Sequence, residues 1–333
     1  MAFKEILGNE NIKETLINSV GEGRPSHSYI FSGPSGVGKK LFAIEFAKLA
    51  NCESSPGKRP ENCTCNSCIK IEKMVHPDVS LFEYEGEKTI KIENIRSDFE
   101  EKIYLSPFEG KYKIFILDDA ERMNINAQNA FLKTLEEPPP QSIIILLTRS
   151  LNFILPTIKS RCQILNFGRV ENKLVRELLI KQGLFDTSNI ETAVKLSGGS
   201  IGKALNLDIE QLEFRENVIR KLNTVRADRP STIFALYDML ELDSKNKNPE
   251  HMQYVFEIIS DWVRDLILIK IDSDKDALSN TNMYTELSEY ASGKSLAGLL
   301  SKPDHLDSAW YGINTLNANK KLAFEDLMIK LSA

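Results

Sequence analysis

A glycine-rich turn between an apolar strand and an amphipathic helix constrains the fold more than any other feature of this sequence. The turn reads GPSGVGKK from Gly33 to Lys40 and completes the spacing G-x-x-x-x-G-K. Gly33, Gly36 and Gly38 let backbone N–H groups converge on phosphate oxygens at the positive end of the following helix, and Lys39 would reach the terminal phosphates. The pattern predicts a phosphate loop, with a chance glycine-rich turn as the alternative.

The segments around this loop predict an α/β domain. Short apolar runs alternate with stretches of helical spacing, which is typical of a parallel sheet flanked by helices. The predicted strands are residues 28–32, 79–84, 113–117, 143–147 and 163–167, and helices are predicted after the loop and over 92–103 and 126–135.

The second half of the chain shows helical patterns alone. Helices are predicted over 171–182 and 189–196, and from Ile209 to the end, with a polar loop at 243–249. Asn248-Pro249-Glu250 opens a helix whose apolar stripe has the i, i+3, i+4 spacing of a packed core. The stripe comprises Val255, Ile258, Ile259, Trp262, Val263 and Leu266.

The composition, 42% hydrophobic and 27% charged, is that of a globular protein. No run approaches the roughly 20 apolar residues of a membrane span, and the start of the chain lacks the apolar core of a signal peptide. A cytoplasmic protein without membrane association is therefore expected. The net charge of -5 argues against a chain that grips nucleic acid over its whole surface, so partners would supply most of any DNA contact.

Three positions bear on catalysis. Lys40 stands where a Ser or Thr hydroxyl should bind Mg²⁺, and its own charge repels the metal. Asp118 and Asp119 end an apolar strand; in phosphate-loop ATPases the first carboxylate helps hold Mg²⁺ and the second, normally Glu, polarises water. Asp119 is one methylene shorter than Glu, and a misplacement of about 1 Å can cost on the order of a hundredfold in rate. The sequence leaves open whether nucleotide binds and predicts that Mg²⁺-dependent hydrolysis is inefficient. A strand-end pair that caps the next helix is the alternative for the two acids.

Four of the five cysteines lie within one short loop. Cys52, Cys63, Cys65 and Cys68 offer the four soft ligands that suit tetrahedral Zn²⁺, whereas Cys162 lies far along the chain. Four thiolates leave no open position for water, so the sequence predicts a structural zinc and not a catalytic one. Free thiols are the alternative.

Taken together, these motifs resemble the clamp-loader branch of the AAA+ ATPases, the family that serves bacterial DNA polymerase III. The resemblance spans almost the whole chain and is weakest from about Ile209 to Leu300. Beside the phosphate and cysteine loops, it is carried by His27-Ser28-Tyr29, His76-Pro77-Asp78, Leu117–Met123, Asn129–Pro139, Leu155–Cys162 and Asn317–Glu325.

The resemblance implies three domains: an AAA+ nucleotide-binding-like α/β domain over 1–168 with a zinc loop at 52–68, a helical lid over 169–208, and a helical collar over 209–333. It also implies a hetero-pentameric ring with gamma/tau and delta subunits that loads the sliding clamp onto primer-template DNA. Such a ring is part of a DNA-directed DNA polymerase assembly, a nucleotidyltransferase.

The family's Ser-Arg-Cys motif supplies an arginine finger to the ATP site of the neighbouring subunit, and here that arginine is Arg161. From the residues alone, an arginine salt-bridged at a helix end is the alternative. A finger aimed at the γ-phosphate is worth roughly 10³–10⁵ in rate in other systems.

Two branches of the family differ in their active sites. The ATP-hydrolysing gamma/tau branch keeps Thr or Ser at the position of Lys40 and Arg in a lid motif G-S-x-R, where this chain has Gly202 followed by Lys203. The segment 147–150, in which Thr148 is a candidate nucleotide contact, is similar to the delta-prime branch. We therefore expect a non-hydrolysing delta-prime-type subunit. The alternatives are a gamma/tau-type motor and a zinc-containing AAA+ binding module of a DNA-repair complex.

Overall fold

The computed structural model describes residues 3, 6–54, 59–60, 62–84, 89–95, 99, 101–185, 187–226, 228–240, 249–314, 316 and 318–332. Some predicted features lie outside these residues in whole or in part. They are the centre of the helix 92–103, part of the zinc loop 52–68, the polar loop 243–249 up to Asn248, and Asn317 of the last family motif.

Five parallel strands form one sheet in the order β2-β3-β4-β1-β5. Residues of β1, β3 and β4 are buried throughout, which explains their near-continuous apolar sequences. The strand β2 ends at Phe82, two residues earlier than predicted, and β5 ends one residue before Phe167. The bounds are β1 Ser28–Ser32, β2 Val79–Phe82, β3 Lys113–Leu117, β4 Ser142–Thr148 and β5 Gln163–Asn166.

Helices flank the sheet and make up the rest of the regular structure. Those that precede or alternate with the strands are α1 Glu10–Gly21, α2 Lys39–Ala50, α3 Asn66–Glu72, α4 Ile92–Ile95, α5 Glu101–Ile103, α6 Ile125–Glu136 and α7 Pro156–Lys159. Those that follow are α8 Asn172–Gln182, α9 Thr187–Ser197, α10 Ile201–Asn206, α11 Ile209–Leu222, α12 Pro230–Leu240, α13 Pro249–Lys270, α14 Tyr284–Ser292, α15 Leu296–Leu300, α16 Lys302–Asn314 and α17 Lys320–Ser332.

The chain divides into two compact units. The first comprises residues 1–175 together with 198–203, and the second comprises 176–197 and 204–333. In the first unit, α1 and α2 cover one face of the sheet, where Phe46 meets Tyr29 edge-on, and α6 covers the other face, where Phe99 contacts Phe115 and Phe131. The predicted α/β fold class with a following helical region is confirmed, whereas the three-domain division stays a prediction.

The second unit has a core of its own, built from helices α11 to α17. All six residues of the apolar stripe on α13 are buried in it, as their spacing predicted. In the part of the chain that the structure describes, no helix combines the length and apolar character needed to cross a bilayer.

Candidate functional site

The phosphate loop (residues 33–40) leaves the carboxyl end of β1 and leads into α2. Its first N–H, from Gly33, donates to the carbonyl of Thr148 at the end of β4 (3.1 Å). Gly38 precedes α2 with a φ of 96°, a conformation that glycine adopts without a Cβ penalty. The carboxyl end of an open parallel sheet is where ligands bind in folds of this kind. The predicted loop therefore stands in the predicted place.

The Lys39 amine is held by the loop itself. Its Nζ donates to the carbonyl oxygens of Gly33 (2.6 Å) and Pro34 (2.8 Å). Burial lowers the pKa of Lys39, while the carboxylates of Glu121 and Asp118 oppose that shift. A phosphate that takes this amine must replace two hydrogen bonds already formed.

Lys40 neutralises the acidic end of the sheet. Its Nζ lies 2.5 Å from Oε1 of Glu83, the residue that follows β2. Burial raises the pKa of Asp118, and the N–H of Asp119 and the charge of Lys40 oppose that shift. The ammonium thus supplies positive charge beside the carboxylates that would otherwise attract a divalent cation.

Asp119 faces arginines. Its backbone is left-handed, with a φ of 46°, and its carboxylate lies 3.4 Å from Arg122 and 3.7 Å from Arg149. Arg149 also pairs with Glu121 at 3.3 Å. Asp119 stands at the N-cap of the 3₁₀ turn 120–122 but makes no side-chain cap bond there. Its carboxylate is therefore committed to ion pairs.

Sequence reasoning missed three members of this cluster: Glu83, Glu121 and Arg149. A signal was available, because each follows β2, β3 or β4 by a few residues and parallel strands end at one edge of the sheet. Thr148, which was predicted, is buried, and its hydroxyl donates to the carbonyl of Ser150 (3.0 Å). Its role as a nucleotide contact stays a prediction.

The lid turn (residues 198–203) lies directly on the phosphate loop. The N–H of Gly202 donates to the carbonyl of Gly36 at 2.8 Å. A Cβ on Gly36, whose φ is +74°, would stand 2.2 Å from Oγ of Ser200, and a Cβ on Gly202 would stand 3.1 Å from the Gly36 Cα. A side chain at position 202 therefore requires the lid turn or the loop to shift.

Arg161 lies at the opposite edge of the sheet. Its carbonyl accepts a bond from the Ser28 hydroxyl (2.7 Å) at the amino end of β1, so the length of β1, about 13 Å, separates it from the phosphate loop. Its guanidinium lies 2.7 Å from Glu136 and donates to the Thr157 carbonyl at 2.9 Å. The salt bridge expected of the alternative interpretation is therefore present, at the end of α6, and the role of Arg161 as a finger stays a prediction.

The structure brings together all four cysteines of the predicted zinc loop. Their sulfur atoms lie within 4.8 Å of one another, and Sγ of Cys52 is 3.6 Å from Sγ of Cys63. Tetrahedral zinc with Zn–S bonds near 2.3 Å requires sulfur atoms roughly 3.8 Å apart. Cys52 lies two residues after α2, Cys65 immediately precedes α3 and Cys68 lies within α3, so two helices position three of the ligands. The four residues could hold a metal ion.

The local chemistry of the thiols differs within this cluster. The hydroxyl of Ser54, 3.4 Å from Sγ of Cys63, lowers the pKa of that thiol to about 6, and burial raises the pKa of Cys68. Thiolate is the form that binds zinc. Cys63 is therefore closer to the thiolate form than Cys68.

Comparison with known proteins finds several DNA polymerase III subunits among the relatives of this chain. A family model described as DNA polymerase III, delta subunit, matches residues 8–171. The chain is 28% identical to the DNA polymerase III subunit tau of Bacillus subtilis over 363 aligned positions, covering 99% of this chain but only 61% of that subunit. It is 28% identical to the subunit delta' of the same organism, covering 84% of this chain and 83% of the relative.

A gamma subunit and a solved structure extend these matches. The chain is 32% identical to the DNA polymerase III subunit gamma of Buchnera aphidicola subsp. Schizaphis graminum, covering 73% of this chain and 69% of the relative. A gamma subunit-related protein of Thermotoga maritima superposes with a TM-score of 0.50 at 20% identity, covering 97% of this chain and 98% of that one. The match to this solved structure is evidence for the fold alone.

Proposed function

This chain belongs to the clamp-loader family of DNA polymerase III gamma, tau and delta-prime subunits, and from that premise we propose that it is a delta-prime-type subunit. It does not hydrolyse ATP itself and supplies Arg161 to the ATP site of a neighbouring gamma/tau subunit. In this proposal it joins gamma/tau and delta in a five-membered cytoplasmic ring. The ring loads the sliding clamp onto primer-template DNA, and DNA contact comes through the assembly.

The observation that carries the proposal is the separation of Arg161 from the chain's own phosphate loop by the length of β1. A guanidinium at the amino edge of the sheet cannot reach a phosphate bound at the carboxyl edge of the same sheet. Its side chain is 36% exposed, so it is available to a second subunit. An arginine in that position can stabilise charge only in a site that belongs to a neighbour.

The state of the phosphate loop supports the non-hydrolysing part of the proposal. Lys40 replaces the hydroxyl and pairs with Glu83, Asp119 is paired with arginines, and Gly202 bonds Gly36. Efficient hydrolysis needs a hydroxyl ligand for Mg²⁺, an acid free to orient water and a lid that admits the nucleotide. Each of these three requirements meets a competing contact within the chain.

A second candidate, an ATP-hydrolysing gamma/tau-type motor, is favoured by one observation. Identity to a gamma subunit, 32%, exceeds identity to the delta' subunit, 28%. The charge at Lys40 is the strongest argument against it, because a motor needs Mg²⁺ at that position.

Reconstitution of the loader with altered versions of this chain separates the two candidates. We expect Arg161→Ala to lower turnover at the facing ATP site by about 10³-fold or more. Arg161→Lys, which keeps the charge but loses the planar fork, should remain strongly impaired. Lys39→Ala should leave turnover unchanged. The measurement is the burst of phosphate release when clamp and primed DNA are added.

The opposite pattern would select the motor. If the isolated chain hydrolyses ATP and Lys39→Ala abolishes that activity, the delta-prime proposal fails. An unchanged burst with Arg161→Ala would also remove Arg161 from the mechanism.

A structural zinc ion held by Cys52, Cys63, Cys65 and Cys68 completes the proposal. The four sulfur atoms lie close enough together for one ion to contact them all, and the bound ion would cross-link the end of α2 to α3. We expect one equivalent of zinc per chain by metal analysis, retained by Cys162→Ser and lost with Cys68→Ser. Removal by a chelator should cost several kcal/mol of unfolding free energy. Folded, metal-free protein with four titratable thiols in this loop would contradict the assignment.

A further inference from the structure

The guanidinium of Arg161 rests in a cradle formed by two helices. Its Nη1 donates to the carbonyl of Thr157 in α7 (2.9 Å) and to the hydroxyl of Ser160 (3.2 Å). On the other side, its Nη2 lies 2.7 Å from Oε1 of Glu136, the last residue of α6. The contacts on Nη1 come from one short segment, whereas Glu136 holds the group from a different element.

A buried glutamine fixes the two helices to one another. The side chain of Gln128, in the first turn of α6, donates to the carbonyl of Phe153 (3.0 Å) and accepts from the N–H of Leu155 (2.8 Å) just before α7. Gln128 is 4% exposed, so these bonds are shielded from water. These bonds join α6 to the segment that leads into α7, the two elements that carry Glu136 and Thr157.

We infer that Glu136 is the positioning residue for Arg161, an inference that rests on the proposed function. An arginine side chain has four rotatable bonds and loses that freedom only when partners hold it. The contacts on Nη1 alone leave the guanidinium free to swing about that nitrogen. Glu136 fixes the opposite nitrogen, so the plane of the group is set before a neighbour's nucleotide arrives.

A second arginine shows a guanidinium whose Nε and Nη2 are both occupied by one carboxylate. Arg176 pairs with Glu191 through both Nε (2.6 Å) and Nη2 (2.8 Å), which saturates the bidentate edge. Arg161 meets Glu136 through Nη2, and among the described residues its Nε has no acceptor. The cradle therefore orients the guanidinium and leaves Nε–H free to donate to a phosphate oxygen.

The test uses the reconstituted loader with Glu136→Ala, Glu136→Gln and, as a matched control, Glu137→Ala on the adjacent exposed acid. We expect Glu136→Ala to lower kcat at the facing site roughly three- to tenfold with KM within twofold, the effect of freeing one long side chain. Glu136→Gln keeps an acceptor oxygen and should retain at least half of the rate. Glu137→Ala should match the wild type.

A double variant decides whether the effect passes through Arg161. In the Arg161→Ala background, Glu136→Ala should cause no further loss, since coupled residues are not additive. An unchanged or faster rate for the single Glu136→Ala variant, or a further loss in the Arg161→Ala background, overturns the inference. A different result would contradict the proposed function: an unchanged rate for the Arg161→Ala variant itself.

Discussion

At the carboxyl end of the sheet every cation of the phosphate loop is bonded within the first unit, whereas at the amino end Arg161 keeps one edge of its guanidinium open. Lys39 and Lys40 contact carbonyl oxygens and a carboxylate at 2.5 to 2.8 Å, and the lid turn donates a backbone hydrogen bond to the loop. Arg161 has a half-exposed acid as its ion-pair partner. The difference teaches that the lysines of a recognisable motif can be bonded within the chain while a less conspicuous arginine keeps a donor that a second molecule can reach.

The largest expected effect tests whether the loop is structural. Gly36→Ala should lower the unfolding free energy by about 2–4 kcal/mol. The new Cβ would clash with Ser200, and the alanine would have to adopt a left-handed backbone conformation. Gly23→Ala is the matched control: its φ is +70° but nothing lies within 4 Å of its Cβ position, so it should cost only about 1 kcal/mol. Urea unfolding measures both, and equal losses would show that the lid contact is not tight.

A somewhat smaller effect tests the rigidity of the Arg161 end. Gln128→Ala leaves the Leu155 N–H and the Phe153 carbonyl without their buried partner and should cost about 1–3 kcal/mol. Asn129→Ala, at the next and exposed position of α6, should change stability by less than about 0.5 kcal/mol. Similar values for the two variants would mean that the cradle is not held by Gln128.

The third prediction concerns pH, and here the substitution is expected to raise stability. Burial raises the pKa of Asp118 above its ordinary value of 3.8, so the folded chain binds this proton more tightly than the unfolded chain. The free energy of unfolding therefore falls as pH rises from the pKa of Asp118 in the unfolded chain to its higher pKa in the folded chain. Above the folded-state pKa the loss of stability is complete. Asp118→Asn should stabilise the chain at pH 7 by up to about 1 kcal/mol, and the gain should shrink toward pH 4. Thermal unfolding at the two pH values checks it, and a loss of stability at pH 7 would contradict it.

The smallest expected effect is at Arg161 itself. Its pair with Glu136 is between side chains that are 36% and 51% exposed, and exposed pairs contribute about 0–1 kcal/mol. Arg161→Ala should therefore leave the unfolding free energy of the isolated chain almost unchanged. A loss above about 2 kcal/mol would make Arg161 a structural residue and would erase the contrast between the two ends.

The sequence predicted the strands, the phosphate loop and the cysteine cluster because each is a local pattern. Strand ends differed by at most two residues, as at β2, where pairing with β3 stops at Phe82. What the sequence could not supply were contacts between distant segments. The pairing of Lys40 with Glu83 depends on the order of strands in the sheet, and the bond from Gly202 to Gly36 depends on where the lid turn lies.

The Arg161 end shows the same limit. The motif identified the residue, but nothing near it in the sequence indicates Glu136, which lies 25 positions earlier on another helix. The two alternatives for Arg161, a finger and a salt-bridged arginine, also prove compatible, because the same side chain can hold the ion pair and keep a donor free.

The bond between Gly202 and Gly36 has a consequence for how such a chain can change by mutation. Threonine at position 40 would restore a ligand for Mg²⁺ but leave the lid backbone on the loop. Arginine at position 202 would meet the Gly36 backbone and still find no metal ligand. Neither change alone supplies what hydrolysis requires, so we expect ATP hydrolysis to appear only when both changes are combined. Under the proposed function, descendants of this chain would therefore keep serving a neighbour's site and would not regain hydrolysis by single substitutions.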